Sequence, residues 1–178
     1  NRARGLRTIL SSWGMATLSI PLFPLGTVLF PDGVLPLQVF EVRYLDMMRK
    51  CIDSGSPFGV VLLTRGSEVR TPDGNEQFEQ SGTLATVQET LEATPGLLKV
   101  MCRGAARFHI VSSERRPNGL WTAEVELLEN DHAVPIPSEL QGAADALDRV
   151  LESLGDIPED RWPLLPPFQL DDCGWVSN

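Results

Sequence analysis

Four closely spaced prolines constrain the fold of the N-terminal part of this chain more than any other feature. They lie within residues 18–40, at Pro21, Pro24, Pro31 and Pro36. Each proline lacks a backbone N–H and disfavours the helical conformation of the residue before it, so this segment cannot be a helix. Proline also removes a ladder hydrogen bond, which limits such strands to sheet edges or bulges. The sequence therefore predicts short extended pieces in an irregular barrel, with turns at Leu25-Gly26 and at Pro31-Asp32-Gly33.

The pattern changes to helical spacing at residue 41. Apolar side chains recur at Val42, Leu45, Met48 and Ile52, and Gly55 follows as a stop signal. This spacing predicts one helix over residues 41–54, inserted after the first strands. Residues 58–63 then form an apolar run typical of a buried strand, and residues 65–80 carry the turn residues of an exposed loop or hairpin tip.

Several strand signals follow in succession. Strands are predicted over residues 83–91, 97–103, 108–111 and 120–128, with turns at Pro95-Gly96, at Gly104 and at Pro117-Asn118-Gly119. In the last of them apolar and polar residues alternate, which is typical of a sheet with one solvated face. An antiparallel meander is the simplest arrangement of these strands.

The C-terminal part changes from strand to helix signals. Ser138 and Gln141 match a capping box, and the apolar positions from Leu140 to Leu154 fall on one face of a helix that Gly155 would end. We therefore predict a barrel domain over residues 15–134 and a helical segment over residues 135–178. Residues 1–14 are expected to be a disordered or non-native leader before a natural start at Met15, and the C-terminus is expected to be cut short.

Charge and hydropathy exclude some classes of partner. The formal net charge is −9, and only Lys50 and Lys99 supply lysine. Nucleic-acid binders neutralise phosphates with many cations, so RNA binding is a weaker alternative. No apolar run approaches the roughly 20 residues of a membrane-spanning helix, so no membrane partner is expected. A cytoplasmic location is predicted, with a mitochondrial presequence in residues 1–14 as the alternative, because these residues are rich in Arg and Ser and lack acids.

Motifs for catalysis or cofactor binding are absent from the sequence. It has neither a phosphate-binding loop nor a dinucleotide fingerprint, and His109 and His132 lack metal-ligand spacing, so no cofactor or metal is expected. A hydrolase using a cysteine stays as a minor alternative. It would need Cys51, Cys102 or Cys173, none of which has a local signature of activation.

Four polar or aromatic residues are candidates for a binding surface. Arg103 and Arg107 flank Gly104, and at a tight connection both could face an acidic peptide. Arg43 and Tyr44 lie at the start of the predicted helix, where Arg43 could also pair with a carboxylate such as Glu41. For all four, ion pairing or packing within the domain is the competing interpretation.

The run from Ile20 to Leu45 resembles the opening of the N-terminal domain of Lon-type ATP-dependent proteases. The similarity rests on the order of its prolines and aromatics and on the Phe-Glu-x-Arg-Tyr segment at residues 40–44. Residues 58–61, 82–85 and 103–108 are similar to later blocks of that family, and the resemblance covers residues 18–176. Gln38, where the family often has a basic residue, is a departure.

The resemblance implies an α+β, mainly β fold: a PUA-like pseudobarrel of mostly antiparallel strands with one inserted helix and a C-terminal helical segment. It also implies a stand-alone, non-catalytic domain that recognises polypeptide segments, as an adaptor for a protease or chaperone in protein quality control. An extended segment could dock on the proline-rich strands. The candidate contacts there are Phe23, Leu25 and Phe30, of which Phe23 and Leu25 could equally be core residues.

Overall fold

The computed structural model describes residues 8–10, 16–68, 76–129, 132–154 and 168–177. They form two compact units, Asn1–Glu129 and Asn130–Asn178. The first unit contains seven strands and one helix: β1 Thr8–Leu10, β2 Ala16–Leu25, β3 Val34–Val39, α1 Val42–Ser54, β4 Phe58–Arg65, β5 Gln77–Thr94, β6 Leu97–Arg115 and β7 Trp121–Leu127. The second contains a 3-10 turn at Ser138–Leu140, α2 Gln141–Leu154 and α3 Cys173–Ser177.

Five strands close into a barrel. Strands β4, β5, β6 and β7 form an antiparallel meander, in which β6 covers two strands that were predicted separately, and β2 pairs with both of its ends. The β2–β7 pairing is antiparallel and the β2–β4 pairing is parallel. Strands β1 and β3 add to the outside of this ring, on β2 and β6 respectively. The predicted mainly antiparallel pseudobarrel with one inserted helix is thus confirmed.

Strand β2 changes its partner at Leu22, and this change accommodates its prolines. Residues before Leu22 pair with β7 and residues after it pair with β4. Pro21 and Pro24 therefore each have one neighbouring strand among those described, so each can turn its N–H-lacking side away from the ladder. Pro36 lies in β3, which pairs with β6 alone in the described sheet. All three prolines occupy edge positions, as their chemistry requires.

The two halves of the barrel have separate cores. One half is filled by residues such as Ile20, Leu22, Phe108 and Val125, where β7 joins β6 to β2. In the other half α1 packs its Met48 and Cys51 face among β2, β4 and β6. Helix α1 ends as predicted at Gly55, which adopts a left-handed φ of 65°.

Several local predictions are wrong. Strand β6 runs unbroken through Gly104, where a turn was expected, and β5 already begins at Gln77, within the predicted loop. Thr8–Leu10 pairs with β2, so this part of the expected disordered leader carries a strand. Ser138 lies inside a 3-10 turn whose N-cap is Pro137, with no side-chain cap, so the predicted capping box does not form. The expected stop at Gly155 lies outside the described residues.

Gly104 has a different role from the one predicted. A Cβ atom at this position would collide with the carbonyl oxygen of Phe30. The loop before β3 passes directly over the strand here: Gly104 donates its N–H to the Gly33 carbonyl at 2.8 Å and accepts the Asp32 N–H at 3.0 Å. Glycine within a strand therefore marks close backbone approach at this point and not a turn.

Candidate peptide-binding cleft

An open cleft of about 280 Å³ lies where β2 and β3 face each other without pairing. In this half of the barrel β7 no longer borders β2, because β2 has passed its change of partner at Leu22. The described residues that line the cleft come from β2, the loop after it, β3, the residues around the start of α1, and the segment just after β4. They are Phe23, Leu25, Thr27, Leu35, Pro36, Leu37, Gln38, Val39, Phe40, Glu41, Tyr44 and Glu68.

The aromatic floor of the cleft is rigidly packed. Tyr44 stacks on Phe23 with ring centroids 4.1 Å apart, and Phe23 also contacts Phe58 at 6.3 Å. Phe23 and Leu25 are only 6 % and 5 % exposed, so they support the cleft more than they project into it. Burial raises the pKa of Tyr44 well above its ordinary value, so its hydroxyl stays neutral.

A buried ionic network lies behind this floor. Arg43 donates from Nε to Glu41 at 3.0 Å, from Nη1 to the Gly119 carbonyl at 2.7 Å and from Nη2 to Glu76 at 3.1 Å. Glu76 also accepts a 2.7 Å hydrogen bond from the indole N–H of Trp121. The predicted pairing of Arg43 with a carboxylate is present. These bonds engage all three guanidinium nitrogens within the domain and tie α1 to the residues just before β5 and β7.

The edge of β3 that faces away from β6 has no partner among the described strands and forms one wall of the cleft. Gly104 donates its N–H to the Gly33 carbonyl, and the register continues regularly from Val34 opposite Arg103 to Val39 opposite Leu98. Hydrogen-bonded and non-hydrogen-bonded pairs alternate in an antiparallel ladder. Every second residue of β3 therefore points its backbone groups away from β6, namely Val34, Pro36 and Gln38. Pro36 lacks only an outward N–H, so the β3–β6 ladder loses nothing.

The rim of the cleft combines one large apolar side chain with negative charge. Phe40 is 55 % exposed and lines the cleft directly. Glu41 and Glu68 are the charged groups among the described lining residues, and lysine and arginine are absent from that set. Glu68 accepts the Gly26 N–H, which holds the loop after β2 against this side of the cleft.

The predicted contact residues separate into three places. Phe23, Leu25 and Tyr44 line the cleft, and Arg43 lies behind it. Phe30 is exposed but lies outside the lining. Arg103 lies on β6, where it pairs with Asp32 at 2.8 Å. Arg107 lies on the same strand, opposite Thr83, and also has an interaction partner. Because β6 is unbroken between Arg103 and Arg107, the two arginines do not flank a turn as expected.

The predicted contacts leave out most of the lining residues, among them the exposed residues Gln38, Phe40 and Glu68. The regular alternation of β3 and the position of Pro36 could have indicated an edge strand with Gln38 on its accessible side. No local signal marks Glu68, because only the folded chain brings it to Gly26.

Two of the three cysteines considered above are poorly suited to nucleophilic chemistry. Burial raises the pKa of Cys51 to about 11 and that of Cys102 to about 12, so both thiols stay protonated, which is the opposite of an activated nucleophile. Among the described residues no group of three or more potential metal ligands is found. Within the same residues, no helix is both long enough and apolar enough to span a membrane.

Comparisons with known proteins agree with this architecture. The N-terminal domain protein of Lon from Xanthomonas campestris, known from a crystal structure, superposes with a TM-score of 0.65 at 33 % identity, covering 89 % of this chain and 78 % of that one. Lon protease 1 of Bdellovibrio bacteriovorus is 27 % identical over 148 residues, and Lon protease of Anaeromyxobacter dehalogenans is 27 % identical over 144 residues. The alignments cover 83 % and 78 % of this chain but only 17 % of each protease.

The family model of the ATP-dependent protease La (LON) substrate-binding domain matches residues 19–166. The matched region includes both walls of the cleft, the aromatic floor and the buried ionic network, and it confirms the resemblance carried by the proline-rich strands. The chain belongs to the family of Lon substrate-binding domains.

Proposed function

We propose that this domain recognises extended polypeptide segments, without a catalytic step of its own, by adding them as a strand to the free edge of β3. The observation that supports this proposal is the combination of a regular strand edge, unpaired among the described residues, with an apolar cleft beside it. Main-chain hydrogen bonds to an exposed edge supply affinity for any extended chain, and pockets for alternate side chains supply selectivity.

The geometry of β3 suits such an occupant. Val34 and Gln38 each offer an outward N–H and carbonyl, while Pro36 offers a carbonyl alone. An added segment would make its ladder bonds there and place every second side chain over Phe40 and the aromatic floor. Unfolded polypeptides expose both backbone groups and apolar side chains, so they match both features of the site.

Another open edge in the sheet is poorly suited to the same role. Beyond Ala85, β5 pairs with β6 alone among the described strands. Register shifts interrupt it between Val87 and Glu89 and again between Thr90 and Glu92. Bulges and charged side chains are the usual protection of an edge against strand addition. Strand β3 pairs without such a shift, so it is the favoured acceptor.

The side-chain contribution can be tested by fluorescence anisotropy with a labelled peptide of alternating valine and threonine. The Phe40→Ser variant is expected to weaken its binding by about tenfold, because Phe40 buries apolar surface only when the cleft is filled. Val111→Ser is the matched control: Val111 is also 55 % exposed but lies on β6, outside the cleft lining. Equal effects of the two substitutions would count against the cleft.

The backbone contribution has its own test. In a strand, alternate N–H groups face the same neighbour, so methylating the peptide nitrogens of one alternate set should abolish binding. Methylating the other set should leave the affinity nearly unchanged. If both methylated peptides bind as well as the parent, strand addition is wrong even where Phe40 contributes.

We also propose that the bound segments are destined for proteolysis, which rests on the family's description as the substrate-binding domain of an ATP-dependent protease. Excess domain should then compete for the same segments. Added in trans to Lon protease 1 of Bdellovibrio bacteriovorus, it is expected to slow ATP-dependent degradation of an unfolded substrate. The Phe40→Ser variant should slow it less, and equal inhibition by both would refute competition through the cleft.

A further inference from the structure

We propose a second binding site, for a primary ammonium group, on the outer face of the barrel where β2, β7 and β6 lie side by side. A cavity of about 260 Å³ lies there, and it shares no described lining residue with the cleft. Its described lining comprises four hydroxyl side chains, two carboxylates and one guanidinium beside a single alanine. The proposed function does not use this surface, so the two sites can be tested independently.

The strand register places three polar side chains of this cavity in one row. Glu124 on β7 lies opposite Ser19 on β2 and opposite Ser112 on β6. The neighbours of Glu124 along β7, Ala123 and Val125, are buried in the core, so Glu124 lies on the outer face. Side chains directly opposite each other on one face have Cβ atoms about 4.5–5.5 Å apart. The two serine hydroxyls therefore flank the carboxylate closely enough to bind one small group together with it.

One carboxylate oxygen in this row is buried without a partner. The Oε2 atom of Glu124 is shielded from solvent, and no described residue donates a hydrogen bond to it. Buried polar atoms in folded proteins nearly always have a hydrogen-bond partner, because an unpaired one has lost its hydration without compensation. An ionised carboxylate can only accept hydrogen bonds. Glu124 is thus suited to a donor that comes from outside the domain.

The other charges on the described lining balance each other. The Nη2 atom of Arg116 pairs with Oε1 of Glu114 at 2.9 Å, and both side chains are more than half exposed. Arg116 is the only cation among the described lining residues. Glu124 is therefore the surplus negative charge of this set.

The remaining charged groups on this part of β6 and β7 lie outside the cavity lining. Arg115 has an interaction partner, and its Nη2 atom lies 3.8 Å from the position that a Cβ atom of Gly119 would take, beside the Arg43 network. His109 and Glu126 face each other on β6 and β7, and neither belongs to the described lining. Among the described residues, none of these groups supplies a cation to the cavity.

A primary ammonium group matches these features better than a metal ion or a water molecule. Its three N–H donors can bond to Glu124 Oε2 and to both serine oxygens, and its charge balances the surplus carboxylate. No group of three or more potential metal ligands is present in the described part of the chain. A water molecule has no charge and needs only roughly 15 Å³, far less than the cavity of about 260 Å³. The additional space can hold the alkyl chain of a lysine side chain or of a small free amine.

Amide chemical shifts of the nitrogen-15-labelled full chain, titrated with n-butylammonium chloride at low salt, test the site. Saturable shifts are expected at Ser19, Ser112 and Glu124, with a dissociation constant on the order of 1–10 mM, as one charged contact and a short alkyl chain allow. n-Butanol, which has the same chain without the charge, should bind about fivefold more weakly or less tightly still. Shifts that do not saturate, or that sodium chloride reproduces, would show that water or an adventitious ion only satisfies Glu124, and would overturn the proposal.

A second titration distinguishes the two sources of the ammonium group. Acetyl-lysine methylamide presents the group on a peptide backbone, whereas n-butylammonium presents it alone. Comparable affinities would support a lysine side chain of a protein partner as the ligand, and binding of n-butylammonium alone would support a free amine.

A matched pair of variants separates the site from the overall charge. Glu124→Gln removes the surplus charge from the cavity, and Glu126→Gln is the control because Glu126 is also partly buried on the outer face of β7 but lies outside the lining. Glu124→Gln should weaken n-butylammonium binding about fivefold, and Glu126→Gln less than about twofold. The same spectra show whether each variant is folded. Equal weakening by the two substitutions would indicate a general charge effect and would refute the site.

Discussion

The guanidinium carbon of Arg43 lies 4.5 Å from the centroid of the adjacent Tyr44 ring. The same Tyr44 ring stacks on Phe23 to form the floor of the cleft. Arg43 is itself held by Glu41, Glu76 and the Gly119 carbonyl. A buried guanidinium that does not itself line the cleft therefore helps to set the position of the aromatic surface that a peptide would contact.

Replacing Arg43 by methionine should strongly destabilise the domain. It leaves the buried carboxylate of Glu76 without its cation, and losing one partner of a buried pair costs about 3–5 kcal/mol. The free energy of unfolding in urea measures the effect. Arg49→Met is the control, because Arg49 makes an exposed pair with Asp46 at 3.6 Å, and it should change stability by less than about 1 kcal/mol. Similar losses in both variants would show that the network is not important for stability.

Phe23→Ser should destabilise the fold and not act only on peptide binding. The ring is 6 % exposed and contacts both Tyr44 and Phe58, so its loss should cost about 3–5 kcal/mol. Phe40→Ser, at an exposed site, should cost less than about 1 kcal/mol. Thermal unfolding compares the two. A Phe23→Ser variant as stable as the parent would contradict the packing described for the floor.

Alkaline pH should destabilise the protein through its buried thiols. Burial raises the folded-state pKa of Cys51 to about 11 and that of Cys102 to about 12, whereas both have ordinary values near 9 when unfolded. Between pH 9 and these folded-state pKa values, the unfolded chain binds fewer protons than the native chain. The contribution of the two thiols to the free energy of unfolding is therefore fully present below pH 9. It falls as pH rises above 9, by at most about 1.4 kcal/mol per pH unit for each thiol.

Urea unfolding at a series of pH values tests this slope. The Cys51→Ala/Cys102→Ala double variant should lose a constant amount of stability from its cavities but show a shallower decline above pH 9. Tyr44, whose pKa is also raised by burial, keeps part of the decline in both proteins. Parallel pH profiles for the parent and the double variant would rule out a contribution from the thiols.

Two Gly→Ala substitutions should change the stability of the protein in opposite directions. In Gly104→Ala the new methyl group collides with the Phe30 carbonyl, and relieving the collision should cost about 1–3 kcal/mol. Gly142 lies in α2 with open space around it, so Gly142→Ala should stabilise by up to about 1 kcal/mol. Chemical unfolding of both variants decides the matter, and a stabilising Gly104→Ala would mean that the loop moves away without cost.

Mixed RNA should not compete for the cleft. Its described lining carries carboxylates and lacks lysine and arginine, and the chain has a net charge of −9. Phosphate binding depends on releasing counterions through cations at the interface. A titration at low salt should show no saturable binding, and a saturable, salt-dependent curve would restore the RNA-binding alternative.

Local chemistry allowed much of the fold to be predicted. Helical spacing indicated α1, the glycine after it indicated its end, and the prolines indicated edge positions. Partner choice could not be predicted, because nothing within β2 reveals that it pairs with β7 before Leu22 and with β4 after it. The turn predicted at Gly104 was wrong for a related reason. Glycine occurs both in turns and where two backbone segments approach closely, and the loop that contacts Gly104, at Phe30, is distant in sequence.

The cleft was predictable only in part. Phe23, Leu25 and Tyr44 were identified from the proline-rich strands and the helix start, and all three line it. Their burial depends on packing against Phe58 and the rest of α1, which no local pattern expresses. The accessible residues Gln38 and Phe40 become apparent only once the free side of β3 is known.

The partner change of β2 also governs when the barrel can form during synthesis. Its first half must wait for β7, the last strand of the unit to leave the ribosome, whereas β4, β5 and β6 can form hairpins with near neighbours as they emerge. Until then Ser19, Ile20 and Pro21 in the middle of β2 have no strand partner among the described residues. The nascent domain thus displays an extended, apolar strand of its own, the same kind of segment that its finished cleft is suited to hold.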